Sequence, residues 1–411
     1  MFDEFMVTVS DELVRKDRRL LFAGGAWWEY QKGAWFPWGA DNENGMHTML
    51  LKLASAREFP YSTYKSATWT TMQAYFGSET PIKFDATPAI VGRNKTYFLE
   101  NGGSLEDHDP EHYLTRRVDV VIDPKAKCPE WLAMLDRVFE DRTDEAKRET
   151  IQFIQEWLGV AIVGNAELPR ELAKALIAWG DTKTGKSAIS DTLIELLGGI
   201  DRIASPSIDE LCSRFGMEPI IGRSAIVTSE AANPKTKGDA AKLKNLITGE
   251  QMNVDRKGRP AITYRFTGPV MFTTNNLPRL EDETDALYNR MVVLEFNRQF
   301  DKEDAKLLGG LKPLPYLKKK GELPGILNWC LDGYDRAKDR EAFILPPETQ
   351  SAGERFRRQN DRVYDFVQSC CTPSKKHACS SKGLALACVQ YADEEHSTKL
   401  SVNTAERAIA R

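Results

Sequence analysis

The stretch Ala175-Leu-Ile-Ala-Trp-Gly-Asp-Thr-Lys-Thr-Gly-Lys-Ser187 is an apolar run that leads into the pattern Gly180-x-x-x-x-Gly185-Lys186-Ser187. Glycine at these two places lets the backbone wrap around a phosphate with its N–H groups pointing inward. Lys186 would place a positive charge beside the terminal phosphates of a nucleotide, and Ser187 would offer a hydroxyl to Mg²⁺. The stretch therefore predicts a phosphate-binding loop that follows a buried strand.

The residues after the loop predict a helix, whose N-terminal N–H groups would complete the anion site. Ile189, Leu193, Leu196 and Leu197 fall on one helical face, and Gly198-Gly199 would end the helix. A strand before the loop and a helix after it disfavour an ordinary Gly/Lys turn. The predicted nucleotide contacts are Gly180, Asp181, Thr182, Lys183, Thr184, Gly185, Lys186 and Ser187.

The composition is that of a globular protein with two or three domains. The chain has 411 residues, of which 41% are hydrophobic and 28% charged. A net charge of −4 argues against wholesale coating of nucleic acid, but it permits a local basic loop. We find no apolar run long enough to span a membrane and no basic–apolar signal sequence. Seven cysteines, an odd number, favour reduced thiols in a cytoplasmic protein.

One C-terminal region concentrates potential metal ligands. They are Cys370, Cys371, His377, Cys379, Cys388 and His396. Zinc sites usually show two pairs of ligands, each pair two to four residues apart, and these spacings are irregular. Buried or incidental thiols are therefore the favoured interpretation, with metal binding as the alternative.

The pattern along the chain predicts an α/β protein with four regions. Residues 1–123 are interpreted as an N-terminal α+β domain, and 124–167 as a helical collar or linker. Residues 168–300 are interpreted as an ATPase core built on a parallel sheet. Residues 301–411 are expected to be mainly helical. In the first region, Ala26–Trp38 predicts a hairpin with its turn at Lys32-Gly33. Its aromatics could stack unpaired bases, but packing in a small core is favoured.

The core prediction rests on four short apolar runs with polar or turn residues at their ends. Such runs are typical of strands buried in a parallel sheet. They are Ala175–Trp179, Ala225–Thr228, Val270–Thr274 and Met291–Phe296, and a helical pattern covers Asp239–Ile247.

Polar residues follow these strands where a triphosphatase needs them. Glu230 follows one strand directly, the position of a carboxylate that activates water and contributes to the Mg²⁺ site. Ser229 stands where many motors have a second acid. Asn275 ends the next strand, where its amide could contact the γ-phosphate or the attacking water. The alternatives are an exposed carboxylate and an Asn-rich turn.

Two cationic features complete the pattern. Arg290 precedes the last strand and could reach the ATP of a neighbouring subunit, although a lone arginine is more often a surface residue. The segment Asn253–Arg265 predicts a β-hairpin with a basic tip formed by Arg256, Lys257 and Arg259. Such a tip could grip phosphates without reading sequence, and the alternative is a solvated charged loop.

The order of these elements resembles that of the superfamily 3 helicases, hexameric AAA+ motors of viruses, phages and mobile elements. Lys186, Glu230 and Asn275 follow one another at short, nearly equal spacings, whereas most other helicase classes spread their motifs further. Val254-Asp-Arg-Lys257 resembles the pore hairpin of the papillomavirus replicative helicase. Asn289-Arg-Met-Val-Val-Leu-Glu-Phe296 resembles the arginine-finger segment of the parvovirus replication proteins.

The similarity to one branch, the poxvirus-type primase-helicases of phages and plasmids, spans nearly the whole chain. The flanking segments that resemble this branch are His108–Thr115, Asp123–Trp131, Gln155–Gly164, Glu322–Trp329 and Ala352–Phe366.

The resemblance implies a replicative helicase of a phage or mobile element, acting in the cytoplasm of a bacterial host. It implies ATP-driven 3′-to-5′ translocation on single-stranded or forked DNA by a homo-hexameric ring, with a separate primase or polymerase as a further partner. ATP and Mg²⁺ would lie between subunits. Lys186, Ser187, Glu230 and Asn275 would stand on one side and Arg290 on the other, while Lys257 would hold the DNA backbone in the pore.

The chain departs from the family pattern in two places. Family members often carry two adjacent arginines at the finger, but the first is Asn289 here. Many carry an upstream primase domain, whereas this helicase-associated region is expected to begin near Met1, so primase would be a separate protein or the chain a fragment.

The main alternative is an AAA+ initiator or loader that hydrolyses ATP and binds DNA without unwinding it alone. Leu400–Ile409 would suit that function as the recognition helix of a winged helix, or it is simply a frayed terminal helix. A GTPase or small-molecule kinase is disfavoured, since Asn94-Lys-Thr-Tyr97 departs from a base-reading motif at its last position.

Overall fold

A computed structural model describes residues 1–15, 19–38, 40–78, 80–100, 103–164, 168–229, 240–278, 280, 285–372, 374–396 and 400–410. The N-terminal region is a mixture of helices and two small antiparallel sheets, ordered β1-β2-β3 and β4-β5-β6. Its elements are α1 (Phe2–Arg15), β1 (Arg19–Ala23), β2 (Ala26–Gln31), β3 (Ala34–Pro37), α2 (Ala40–Ser55), α3 (Tyr61–Tyr75), β4 (Ala89–Val91), β5 (Thr96–Phe98) and β6 (Ser104–Glu106).

The predicted aromatic hairpin is confirmed as β2 and β3. Gln31 pairs with Ala34, and Lys32 and Gly33 both have positive φ, at 50° and 87°. Two positive φ values in a two-residue turn suit the right-handed twist of a hairpin. The favoured interpretation of the aromatics as packing residues holds for Trp27, which is buried in a core with α1, α2 and α3.

Two helices lead from this region to the central sheet: α4 (Pro129–Val138) and α5 (Asp144–Val163). Helix α5 begins at a cap in which the Thr143 hydroxyl accepts a hydrogen bond from Ala146 N at 3.3 Å. From Phe153 onward most of its residues are buried, because the helix lies between the sheet and a C-terminal helix. The predicted helical character of the collar is thus observed.

The core holds a five-stranded parallel sheet in the order β13-β7-β12-β9-β8. Its elements are β7 (Ala175–Gly180), α6 (Lys186–Leu196), β8 (Ile203–Ala204), α7 (Ile208–Cys212), β9 (Ala225–Ser229), α8 (Ala240–Ile247), β10 (Gln251–Arg256), β11 (Arg259–Arg265), β12 (Val270–Thr274), α9 (Asp285–Tyr288) and β13 (Met291–Phe296). The four predicted strands are confirmed. Strand β8 was missed because two residues carry no readable pattern.

Both faces of the sheet are covered, which explains why its strands are continuously apolar. Successive side chains point to opposite faces. Leu176 and Ala178 therefore join one core with α5 and α6, while Ala175 and Ile177 join a second core with α8 and α9. The protein is a mixed α/β structure with this layered sheet at its centre.

Every described element after β13 is a helix, as predicted for the C-terminal region. These helices are α10 (Lys302–Leu307), α11 (Pro313–Lys320), α12 (Leu323–Arg340), α13 (Pro347–Asn360), α14 (Arg362–Cys370), α15 (Ser381–His396) and α16 (Val402–Ile409). Helix α16 covers the proposed recognition helix, but the described part of 362–410 contains no strand that could form a wing.

The last three helices share a small core of their own, which includes Val363, Phe366 and Cys388. Burial raises the pKa of the Cys388 thiol to about 11, as expected for a packing residue. Within the described residues, histidine, cysteine and acidic side chains form no group of three that could hold a metal ion. In the same part of the chain, no helix is long and apolar enough to cross a bilayer.

Helices α5 and α12 approach each other so closely that their backbones are in contact. A Cβ atom on Gly159 of α5 would overlap the Cys330 carbonyl oxygen, and one on Gly333 of α12 would overlap the Gln155 carbonyl group. Beside this crossing, the buried Glu156 carboxylate pairs with Arg340 of α12. The collar helix and the C-terminal helix thus form one packed layer on the sheet, while the four predicted domain boundaries remain predictions.

Candidate nucleotide-binding site

The loop between β7 and α6 has the backbone conformation that its glycines predict. Gly180 has a φ of 156° and lies against Phe296 of β13, where any Cβ would overlap the Phe296 carbonyl oxygen. Gly185 has a φ of 92°, and a Cβ there would lie 2.9 Å from a methyl group of Val138. Both positions therefore require glycine, for conformational and for steric reasons.

Lys186 is the first residue of α6, and its ammonium lies within the loop. Its Nζ donates a hydrogen bond to the Gly180 carbonyl at 2.6 Å and approaches the Asn275 Oδ1 atom at 3.3 Å. Burial lowers the pKa of Lys186, and nearby Asp181 opposes this shift. The N-terminus of α6 adds its positive helix dipole at the same place. The ammonium and the helix end thus make a local concentration of positive charge.

Other loop residues support this arrangement. Thr184 is buried, and its hydroxyl donates to the Asp181 carbonyl at 2.8 Å, which closes the loop on itself. Phe300 N donates to the Lys183 carbonyl at 2.8 Å and ties the outer part of the loop to the segment after β13. Thr182 and Ser187 are exposed at the two ends of this part of the loop.

Asn275 reaches this site because β12 lies next to β7. Thr274 is level with Trp179 in the parallel register, so both strands end at the same edge. The Trp179 indole N–H donates to the Asn275 carbonyl oxygen at 3.2 Å. Two residues far apart in sequence, Lys186 and Asn275, are therefore brought together. Their predicted catalytic roles remain predictions.

The predicted carboxylate, Glu230, lies outside the described residues. Strand β9 ends one residue earlier at Ser229, which is exposed and level with Thr273 of β12. The strand that precedes Glu230 thus ends at the same edge of the sheet as β7 and β12. The assignment of Glu230 as base and Mg²⁺ ligand stays a prediction from the sequence.

Arg290 lies at the opposite edge of the sheet. Its carbonyl accepts a hydrogen bond from Ala175 N at 2.8 Å, at the start of β7, and its Nη1 donates to Ala286 O at 2.6 Å. Since β13 is six residues long, Arg290 is about 20 Å from the edge that holds Lys186. The structure therefore does not bring these two residues together within one chain.

A second cationic residue, which was not predicted from the sequence, lies near the loop. Arg355 of α13 forms an ion pair with Glu295, and its guanidinium lies 5.0 Å from the centre of the Trp179 ring. Glu295 also accepts at its backbone carbonyl from Arg142, at 2.7 Å. Glu295 is an acidic residue inside the otherwise apolar strand β13, and this was the feature of the sequence that could have indicated an ion pair. Its partner Arg355 is about sixty positions away, and no periodic pattern connects the two residues.

The predicted basic hairpin is confirmed as β10 and β11, which pair antiparallel with a bulge between Val254 and Arg256. Gly258 at the turn has a φ of 70°, and Lys257 beside it is exposed. The Lys257 N–H donates to Glu218 at 3.0 Å, and the Arg256 side chain donates to Pro260 O at 2.9 Å. The side chain of Arg259 lies outside the described residues. The hairpin tip is thus cationic and accessible, and its DNA contacts remain predicted.

Comparison with known proteins gives two matches to sequence families. Residues 22–140 match a family described as D5 N terminal like, and residues 178–290 match DUF5906, a family of unknown function. Among solved structures, the apo structure of the NrS-1 C terminal region (305-718) covers 97% of this chain and 92% of its own chain, with a TM-score of 0.49 and 12% identity.

Curated relatives include the Replication protein E1 of several papillomaviruses. That of human papillomavirus type 2a is 28% identical over 125 residues, which is 30% of this chain and 19% of the viral protein. That of human papillomavirus 11 is 29% identical over 121 residues, 29% of this chain and 18% of the viral protein. The match thus spans about a fifth of these relatives. Together with the D5-type match, it supports the resemblance of the chain to families of superfamily 3 helicase type.

Proposed function

We propose that this chain is the ATP-driven motor of a replicative DNA helicase. The observation that supports it best is the meeting of Lys186 and Asn275 over a loop that requires glycine at Gly180 and Gly185. These residues lie beyond the carboxyl ends of parallel strands, where open α/β sheets bind their ligands. The similarity to E1 replication proteins supports DNA as the partner.

The residues of the loop fit a nucleoside triphosphate and Mg²⁺. Lys186 and the N–H groups at the start of α6 would bind the terminal phosphates, and the exposed Ser187 hydroxyl would bind the metal. Mg²⁺, when bound, neutralises charge on the phosphates. Asn275 would orient the γ-phosphate or the attacking water without adding charge, and Glu230 would accept the proton of that water.

The finer proposal is a AAA+ ring, with six subunits of this chain around DNA. The position of Arg290 supports it, because a residue at the far edge of the sheet can contribute only to a neighbouring subunit's ATP. In such a ring the hairpin tip with Lys257 would hold the DNA backbone, and movement would run 3′ to 5′. We place this motor in the primase-helicase branch of phages and mobile elements, acting in the host cytoplasm.

Strand displacement tests the proposal directly. The chain and its Lys186→Ala variant would be incubated with ATP, Mg²⁺ and forked, 3′-tailed or 5′-tailed DNA. We expect unwinding of forked and 3′-tailed DNA by the native chain only. ATP hydrolysis without any displacement would reject the helicase and indicate an initiator or loader that needs a partner. Equal hydrolysis by both proteins would reject the nucleotide site itself.

A further inference from the structure

A second cleft lies at the edge of the sheet opposite to the phosphate loop. It has a volume of 380 Å³ and separates the sheet β1-β2-β3 from the segments that precede β9 and β12. Its walls include Trp28, Phe84, Arg116, Arg117 and Arg223. Strand β11 of the basic hairpin forms another wall. The volume falls in the range of small-ligand sites and is separate from the nucleotide site described above.

The deepest charged group in this cleft is the guanidinium of Arg116. The residue is 7% exposed, its Nη2 donates to the Thr267 carbonyl, and its Nε has no hydrogen-bond partner among the described residues. Asp85 is the nearest acidic influence, but both of its oxygens accept hydrogen bonds from Thr115. No carboxylate of the described residues forms an ion pair with Arg116. A buried guanidinium without an anion is costly, so an anionic ligand would stabilise it.

Arg117 and Arg223 also line the cleft, and both lie close enough to Arg202 to influence it. Arg202 stacks on Phe36 with its guanidinium carbon 3.7 Å from the ring centre, and burial lowers the pKa of Arg202 to about 10. The positive charges of Arg117 and Arg223 contribute to this lowering. Asp119 pairs with Arg117 at 2.8 Å but also pairs with Arg93, so one carboxylate serves two cations. This side of the cleft therefore has an excess of positive charge.

The opposite wall holds a pair of aromatic rings. The rings of Trp28 and Phe84 stack with their centres 4.0 Å apart and their planes 28° apart. Both residues are only half-buried, unlike Trp27 in the adjacent core. The indole N–H of Trp28 is bound to the Ala23 carbonyl at 3.2 Å, which fixes the orientation of the ring. An oriented aromatic pair beside arginines is the combination that binds unpaired bases and their phosphates.

We propose that this cleft binds one nucleotide unit of single-stranded DNA, with the phosphate at Arg116, Arg117 and Arg223 and the base against Trp28. It would extend the DNA contact of the hairpin tip, because Arg256 of that tip also lines the cleft. A phosphate supplies the charge that Arg116 lacks and accepts several hydrogen bonds from guanidinium groups. Stacking on Trp28 works with any base, so the contact would not depend on sequence. The inference rests on the proposed function only for the choice of DNA as ligand.

The test measures binding of labelled single-stranded oligo-dT to the full chain, without nucleotide and at several salt concentrations. Arg116 is too buried for a safe substitution, so the variants are Arg223→Gln at the exposed rim and Trp28→Leu. We expect Trp28→Leu to weaken binding about tenfold. Arg223→Gln should weaken it several-fold and lower the salt dependence by about one ion. Arg148→Gln, an exposed arginine of α5 outside the cleft, is the control and should change neither quantity.

The outcomes separate this inference from the proposed function. Basal ATP hydrolysis should be normal in both cleft variants, which shows that they are folded. Unchanged DNA affinity in both would overturn the cleft while leaving the helicase intact. Weakened affinity in a protein that unwinds nothing would support the cleft and reject the helicase. Displacement of oligo-dT by inorganic pyrophosphate at equal phosphate concentration would assign the cleft to a free phosphate ligand and overturn the DNA assignment.

Discussion

The ammonium group of Lys186 lies among the loop carbonyls, the N-terminus of α6 and the amide side chain of Asn275. Its hydrogen bond to Gly180 and its approach to Asn275 place the ammonium between two strands. Lys183, only three residues earlier, has a left-handed backbone and an exposed side chain. The two loop lysines have the same charge and length but different surroundings. They are therefore a matched pair for mutation.

Lys186→Ala should lower the rate of ATP hydrolysis by about 100-fold or more, because it removes the charge that faces the phosphates. Lys183→Asn is the control, since the predicted contact of Lys183 with phosphate is made by its backbone and asparagine tolerates a left-handed backbone. We expect hydrolysis within about twofold of the native rate for this control. Steady-state phosphate release measures both. A comparable loss in the two variants would show that general loop charge, and not Lys186 itself, supports the reaction.

Asp119 should make folding depend on pH. Hydrogen bonds from Arg93 and then Arg117 hold the pKa of its carboxyl well below the ordinary value. A lowered folded-state pKa means that the stabilisation is present above the unfolded value near pH 4 and is lost as pH falls toward the folded value. Asp119→Asn should therefore lower the free energy of unfolding by about 1 kcal/mol at pH 7.

Urea unfolding at a series of pH values checks this. The difference in the free energy of unfolding between the native protein and Asp119→Asn should become smaller below about pH 4. Asp107→Asn is the control and should have no measurable effect, because Asp107 is 91% exposed. A gap that stays constant with pH would mean that the asparagine disturbs packing and that the ion pairs are not responsible.

At the scale of elements, the contact between α5 and α12 depends on glycine. Gly159→Ala should cost about 2 kcal/mol, because the added methyl overlaps the backbone of α12 and the helices must separate. Gly353→Ala in α13 is the matched control, since no atom lies within 4 Å of its added Cβ. It should be neutral or stabilise by up to about 1 kcal/mol through helix propensity. Thermal unfolding distinguishes the two, and equal effects would contradict the close crossing.

The sequence predicted the elements whose signals are local. The strand before Lys186, the helix after it and the hairpin at Lys257 were all predicted from spacing and alternation within short windows. Strand β8 was too short for such a pattern, and the ion pair between Arg355 and Glu295 joins distant segments. Contacts of this kind depend on how layers pack, which periodicity along one chain does not encode.

Arg290 and Lys186 lie at opposite edges of the central sheet. If ATP lies between subunits, Arg290→Ala should abolish hydrolysis while assembly is retained. Mixing Arg290→Ala subunits with Lys186→Ala subunits should restore part of the activity, because some interfaces then combine two intact residues. Phosphate release at several mixing ratios measures this. If activity is not recovered at any ratio, the proposal that Arg290 acts on the ATP of a neighbouring subunit loses its support.

The hairpin tip should matter for DNA and not for nucleotide. Lys257→Ala is expected to weaken DNA-stimulated hydrolysis several-fold and leave basal hydrolysis unchanged, because Lys257 is exposed at the hairpin tip and is not part of the phosphate loop. Lys302→Ala, an exposed lysine of α10, controls for lost surface charge. Hydrolysis with and without single-stranded DNA provides the comparison, and equal losses in both conditions would reject the assignment of the tip as a DNA contact.

Strand β13 begins directly after Arg290 and ends at Phe296, beside Gly180. In the proposed ring, one end of this strand would therefore lie next to the nucleotide of a neighbouring subunit. The other end would lie next to the nucleotide of the same subunit. We expect a strand that is buried on both faces to move as a rigid unit. A displacement of the backbone at one end would then be transmitted to the other end. Each subunit would then sense two nucleotides along one line of backbone. This coupling favours sequential hydrolysis around the ring and disfavours independent hydrolysis at each site.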